Sequence, residues 1–325
     1  MLKRVLYLWI LMFGASVLAQ QFGGERTQQG LNPEISILGE IWGTYDDSVH
    51  KSDLALHEVE LAFQSALDPY TQLKVITSFS PNANSDGYFV DIEEGYLTWT
   101  GLVNGVSLNV GKFKEPFGVY NRWHAHALPI LDYPLYIRKF FGDEGLASTG
   151  FSAETLYSGL GADSFTLQAV SRDGTNSALA HYKSYWDLSP DVYLEGGLSY
   201  FSEKPNAYGA DMTVLYEPHN QAKFSHVQFH AEWGKKDQAQ GLFTLLEDQL
   251  SAKYLVALSY ERAEEVADPS LVTHSWAGIF TYWQSEYVRI RLHLIDERQS
   301  WTSQPNRKVI LQFSVAAGPH KHDAY

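Results

Sequence analysis

The sequence predicts an all-β fold: a transmembrane antiparallel β-barrel of about sixteen strands, fourteen being the alternative count, with a long loop folded into the lumen. Three observations lead there. Apolar and polar residues alternate with a period of two over segments of about ten residues, the length a tilted strand needs to cross a bilayer. Short links alternate with longer polar ones along the chain. Composition closes the other classes: 45% hydrophobic and 14% aromatic residues are too many for a disordered chain. Beyond the extreme N-terminus no apolar run is long enough for a transmembrane helix. The 38 acidic against 24 basic residues argue against nucleic acid, whose phosphates need clustered Lys and Arg.

Residues 1–19 open with Lys3 and Arg4, continue through an apolar stretch from Val5 to Leu18 and end on the small Ala19. This is the pattern of a secretory signal peptide, and residues 20–32 would follow it as a short periplasmic segment. The barrel is expected over residues 33–325. With no cysteine in the chain, an exported protein must take its stability from packing or from a closed hydrogen-bond network.

The first strand reads Ile35, Ile37, Gly39 and Ile41 on one face against Ser36, Leu38 and Glu40 on the other. The second sets Val59, Leu61 and Phe63 against Glu58, Glu60 and Gln64, and a late one sets Val288, Ile290 and Leu292 against Arg289, Arg291 and His293. Links near Leu67–Pro69, Gly101–Gly105, Ser189–Asp191, Pro218–Ala222, Ser251–Lys253 and Trp283–Glu286 read as turns of one rim. Asp46–Asp53, Ser80–Gly87 and Asp296–Asn306 read as loops of the other. Gly241–Leu250, with helix-like leucine spacing, and Asn176–Leu188, with mixed faces, leave the count between fourteen and sixteen. A closed sheet pairs every backbone amide without an edge, as hydrocarbon requires. Tyr45, Trp99, Tyr200, Tyr216, Trp233, Tyr260 and Trp283 fall near strand ends, where an interfacial girdle belongs.

From Phe117 to Glu144 the alternation stops. Trp123, Tyr133, Tyr136, Phe140 and Phe141 make this segment too aromatic for disorder, and a long irregular segment is usually functional, so it is expected to narrow the lumen. Candidate pore-lining or constriction residues are Glu58, Glu60 and Glu93 on early strands, Lys112, Lys114, Arg122 and Arg138 around the loop, and Arg289 and Arg291 near the end. Because the first and last strands close on each other, acidic and basic patches would face across the lumen and orient polar solutes. Two H-x-H pairs, His124 with His126 and His320 with His322, can hold a transition metal given a third ligand such as Asp132 or Asp323. The metal expectation rests on His320 and His322. No G-x-S-x-G, P-loop or dinucleotide fingerprint is present. No enzyme activity and no cofactor are expected, zinc being the one ion the histidines raise.

Gly111-Lys112-Phe113-Lys114-Glu115-Pro116-Phe117 resembles the G-x-F-K-E-P-F motif of the phosphate-selective porin O/P-like family of Gram-negative outer-membrane barrels. Leu31–Ser36, His57–Ala66, Glu93–Tyr96 and Phe141–Leu146 resemble its subgroup labelled zinc-regulated TonB-dependent receptors. The resemblance implies an outer-membrane porin that lets small hydrophilic solutes or ions diffuse passively. Its partners would be outer-membrane lipid and those solutes, with a homotrimer as an open alternative. A receptor would need a sizeable N-terminal plug, whereas the first strand is expected soon after the signal peptide, so a plugless channel is the reading. Family members conduct phosphate through lysine ladders, and this acidic chain shows no evident one. The rival functions are a metal uptake channel, a binding barrel closed to solutes and a lipid hydrolase.

Overall fold

A computed structural model describes residues 33–82, 87–218 and 224–318. The expected signal peptide, the segment 20–32, and His320 and His322 lie outside the described residues. The strands are β1 (Glu34–Asp46), β2 (Lys51–Ala66), β3 (Thr71–Pro81), β4 (Tyr88–Val103), β5 (Val106–Lys114), β6 (Ala147–Ser158), β7 (Ala162–Arg172) and β8 (Thr175–Ser189). They continue as β9 (Val192–Phe201), β10 (Ala207–Tyr216), β11 (His226–Lys236), β12 (Ala239–Ser251), β13 (Tyr254–Glu264), β14 (Val272–Ser285), β15 (Val288–Gln299) and β16 (Asn306–Ala317). Each pairs with its sequence neighbours and β1 pairs with β16, so sixteen antiparallel strands close the barrel. The count of fourteen is excluded: Gly241–Leu250 lies in β12 and Asn176–Leu188 in β8, because cross-strand pairing overrides the leucine spacing of the one and the mixed faces of the other.

Burial is inverted relative to a water-soluble domain. On β1, Ile35 and Ile37 are half exposed on the outer face while Ser36, Leu38 and Glu40 are buried inside. The same holds on β16, where Val309, Leu311, Phe313 and Val315 face out and Ile310, Gln312 and Ser314 face in. An apolar row with no protein partner on the outside is the pattern a lipid-facing barrel wall requires. Most of the expected girdle residues fit this, with Tyr260 packed against Trp276 on the outer face at an interplanar angle of 44°. Trp283 does not: it turns into the lumen beneath the Arg289 guanidinium, 5.4 Å from the ring centre, in phase with the inward row of β14.

The two rims are less different than the link pattern predicts. On the long-loop rim, β7–β8 and β11–β12 turn through only Asp173-Gly174 and Asp237-Gln238, while the β10–β11 link on the other rim runs from 217 to 225. Positive φ at Asp173, Gly174 and Asp237 is what lets the chain reverse in two residues. The rim's one large excursion is residues 115–146, between β5 and β6, called the inner loop below.

The glycine that opens the motif has a structural reason. Gly111 lies at φ 139°, and a Cβ there would fall 2.1 Å from the Gly95 carbonyl oxygen of β4. Gly111→Ala is expected to block closure of the β4–β5–β6 wall, read as a loss of heat-modifiable folded species on refolding into detergent. A normal folded yield would show that the wall tolerates the side chain.

Candidate functional site: the inner loop and its anchors

The inner loop fills the barrel interior, and the protein's hydrophobic core lies there. Phe117, Tyr120, Leu128, Tyr133, Tyr136 and Ile137 are all buried among inward side chains of the wall. Asn121 ties the ends of the loop together, its Nδ2 donating to the Glu115 and Leu146 carbonyls and its Oδ1 accepting from the Leu146 amide at 2.7 Å. Burial pushes the Glu115 carboxyl up to about 7.

Four parts of the wall hold the loop. On β11, Glu232 is buried and accepts from the backbone amides of Val119 (2.8 Å) and Tyr120 (3.1 Å) and from the Tyr136 hydroxyl (2.7 Å). Its fourth neighbour is His230 Nε2 at 3.0 Å. The short helix α1 (Leu135–Phe141) packs along β11–β13. There Gly234 and Gly241 form one cross-strand pair and leave a slot for Tyr136: a Cβ on either would come within 2.5 Å of that side chain. Glu261 of β13 caps the start of α1 by accepting from the Leu135 amide. On β15, Arg289 donates to the His126 carbonyl (2.5 Å) and Arg291 to the Leu128 carbonyl (2.6 Å).

The fourth anchor is a cluster of carboxylates and imidazoles on β2 and β4. Strict alternation would aim one of Glu93 and Glu94 at lipid. Instead a β-bulge interrupts the β3–β4 register between Ile76 and Thr77, Glu93 is the extra residue, and both carboxylates turn inward. A second bulge, at Glu40 and Ile41 on β1, leaves His57 as the extra residue of β2, stacked on Trp42 with ring centres 3.4 Å apart. His124 enters from the loop. Its Nδ1 lies 2.7 Å from Glu93 and 3.4 Å from Glu60, and its Nε2 lies 3.1 Å from Glu94. His126 Nδ1 is 3.1 Å from Glu60. Burial alone would lower the His124 pKa, but the Glu60, Glu93 and Glu94 carboxylates outweigh it and lift it to about 10.

Among the described residues, cavities lie beside the loop. One of about 310 Å³ separates it from β1 and β13–β16, with Asp46, Asp132, Glu261, Glu297, Arg138 and Lys308 in its lining. Another, about 430 Å³, is lined by Trp123, Trp283, Glu217, Glu247 and the β15 arginines.

The structure brings Glu58, Glu60 and Glu93 together inside the barrel, under the loop rather than along an open channel. Arg289 and Arg291 are not a free basic patch facing an acidic one. Both are buried against loop carbonyls, and Arg289 lies 3.8 Å from Glu40 on its own side of the barrel. Lys112 is half-buried with Nζ 3.2 Å from Asp91, whereas its neighbour Phe113 takes the core position against Tyr96. Lys114 donates to the Glu144 carbonyl at 3.3 Å and lies over the Tyr133 ring. Arg138 donates to the Tyr133 carbonyl and sits 3.7 Å from Asp132, so Asp132 is not the third partner of the His124/His126 pair. Arg122 stays exposed, within electrostatic reach of Lys183 and Tyr185. Sequence reasoning missed Glu94, which the bulge brings in, and Glu232, whose His230-x-Glu232 spacing looks like any inward polar row.

Comparisons with known proteins agree with this architecture. A curated relative of uncharacterised function from Aquifex aeolicus (strain VF5) is 27% identical over 206 residues, 51% of this chain and 42% of that one, so the chain spans about two fifths of its length. The outer-membrane channel DcaP of Acinetobacter baumannii superposes with a TM-score of 0.61 at 10% identity, covering 91% of this chain and all of that one. The trimer form of OmpT from Vibrio cholerae gives 0.56 at 8% identity over 88% and 99%. An anion-selective porin from Comamonas acidovorans gives 0.51 at 10% identity over 88% and 100%. At such identities these likenesses speak for the fold. Residues 38–252, well over half the chain and most of the wall with its inner loop, match the phosphate-selective porin O and P family, and the chain is a member of that family of outer-membrane β-barrels.

Proposed function

We propose that this barrel is a passive channel for small hydrophilic solutes and ions, narrowed by its inner loop, with no preference for phosphate and a mild preference for cations. One observation carries the selectivity: among the described residues, most inward lysines are already committed to carboxylates, and Lys114 is spent on the Glu144 carbonyl and the Tyr133 ring. Lys74 lies against Glu94, Lys183 against Glu195, Lys236 against Glu203, Lys139 against Glu265 and Lys308 against Asp46. A phosphate ladder needs cations free to trade one anion for the next, and ion-paired ammonium groups do not offer that. The cavity beside β13–β16 adds four carboxylates against two cations, and the chain carries a net charge of -14. That the lumen is filled by the chain's own 115–146 segment favours a channel over a receptor. The trimer form of the OmpT neighbour supports a homotrimer here as well, checked by the mass of the detergent-solubilised assembly.

The test is the reversal potential of the purified protein in a planar bilayer under a KCl gradient. The sign expected is that of excess potassium permeability, and millimolar phosphate should leave the current unchanged. A reversal potential on the chloride side, or block by phosphate, would overturn the selectivity; a bilayer that never conducts would sink the channel itself.

A further inference from the structure

We propose that the cluster joining the inner loop to β2 and β4 is a binding site for one divalent transition-metal ion, held by Glu60, Glu93 and His124 with His126 as the fourth ligand. A carboxylate oxygen from each of Glu60 and Glu93 and a ring nitrogen of His124 already lie within 4.8 Å of one another. Tetrahedral coordination at about 2.0–2.1 Å sets neighbouring donor atoms roughly 3.3 Å apart. His124 Nδ1 to Glu60 is 3.4 Å and matches that spacing as it stands; His126 Nδ1 is 3.1 Å from the same carboxylate but must draw closer to the other two donors to complete the set. The 2.7 Å between His124 Nδ1 and Glu93 needs only a small opening.

The surroundings point to a ligand independently of the donor spacing. When Nδ1 of an imidazole binds a metal, the other ring nitrogen characteristically donates to a carboxylate that fixes tautomer and ring orientation. Glu94 occupies that place, 3.1 Å from His124 Nε2, and is itself held by Lys74 at 2.8 Å. Charge argues the same way: Glu60, Glu93 and Glu94 crowd around the two imidazoles with Lys74 as their nearest ammonium, so a dication placed among them would face three carboxylates. All-nitrogen-and-oxygen donors with two imidazoles suit zinc or cobalt rather than magnesium or calcium. Bridging two strands and the loop, such an ion would lock the loop to the wall.

The experiment uses the full-length protein in detergent, stripped with a chelator and titrated with Co²⁺, then with Zn²⁺ in competition. One equivalent of Co²⁺ should develop visible d–d bands that Zn²⁺ bleaches. The bands should disappear in His124→Gln and in the double variant Glu60→Gln/Glu93→Gln, and should persist in His320→Ala/His322→Ala, which separates this site from the C-terminal pair. Glu94→Gln, expected to position rather than bind, should weaken affinity by roughly 10–100-fold. Heat-modifiable mobility on gels checks that each variant is folded; if the lumen variants fail to fold, the wild type and the His320→Ala/His322→Ala protein still decide. Absence of cobalt bands in wild type, or their loss with the C-terminal histidines alone, overturns the site.

Discussion

Glu232→Ala is expected to free the inner loop and raise the single-channel conductance, with noisy transitions replacing a steady level. The carboxylate accepts from Val119 N, Tyr120 N and the Tyr136 hydroxyl inside the barrel, where no other described acceptor is within bonding distance of those groups. Leaving buried donors unpaired costs about 1–3 kcal/mol for each group. Three of them together would shift the loop's equilibrium by roughly two orders of magnitude or more, at a factor of ten for each 1.4 kcal/mol. The wall should survive, because the β10–β11–β12 backbone pairing does not involve this side chain. Planar-bilayer recording on the folded variant checks the idea, and a conductance and noise level equal to wild type would mean that Glu232 does not hold the loop.

Gly241→Ala is expected to have the second large effect, by a different route. The added Cβ would fall 2.2 Å from Tyr136 Cβ, an atom fixed to the backbone of α1, so the helix itself must move. Overpacking of this kind usually costs about 1–3 kcal/mol, and here the strain falls on a loop rather than on the sheet. The helix should leave its slot, with a larger pore and faster proteolysis between Pro134 and Gly142. Gly278→Ala is the control: it lies in β14 of the same wall, and an added Cβ there meets nothing within 4 Å. If the two alanines give the same conductance, the slot does not set the aperture.

The wall was largely legible from sequence because its cause is local. A strand between lipid and water must alternate, so Val59 against Glu60 or Ile290 against Arg291 declares its face within a few residues. Where one residue is inserted, the signal fails: the Glu93-Glu94 pair reads as one inward and one outward carboxylate until the bulge is seen. The lumen was legible only in outline. That 115–146 folds inward follows from its aromatic content, but the partners of its backbone come from β11, β13 and β15, more than a hundred residues away. Arg289 and Arg291 illustrate the loss. By pattern they are free charges for a solute, and in the barrel they are donors to loop carbonyls.

Chain alternation, the motif around Gly111 and the acidic composition by themselves determined a closed outer-membrane barrel and its family. Only the tertiary structure decided which inward charges remain available, because ion pairing inside a lumen depends on which strands the closed sheet sets face to face. It also decided that His124 and His126 meet Glu60, Glu93 and Glu94, since a bulge in one strand and an entering loop must both be in place before five side chains from distant segments share one small volume.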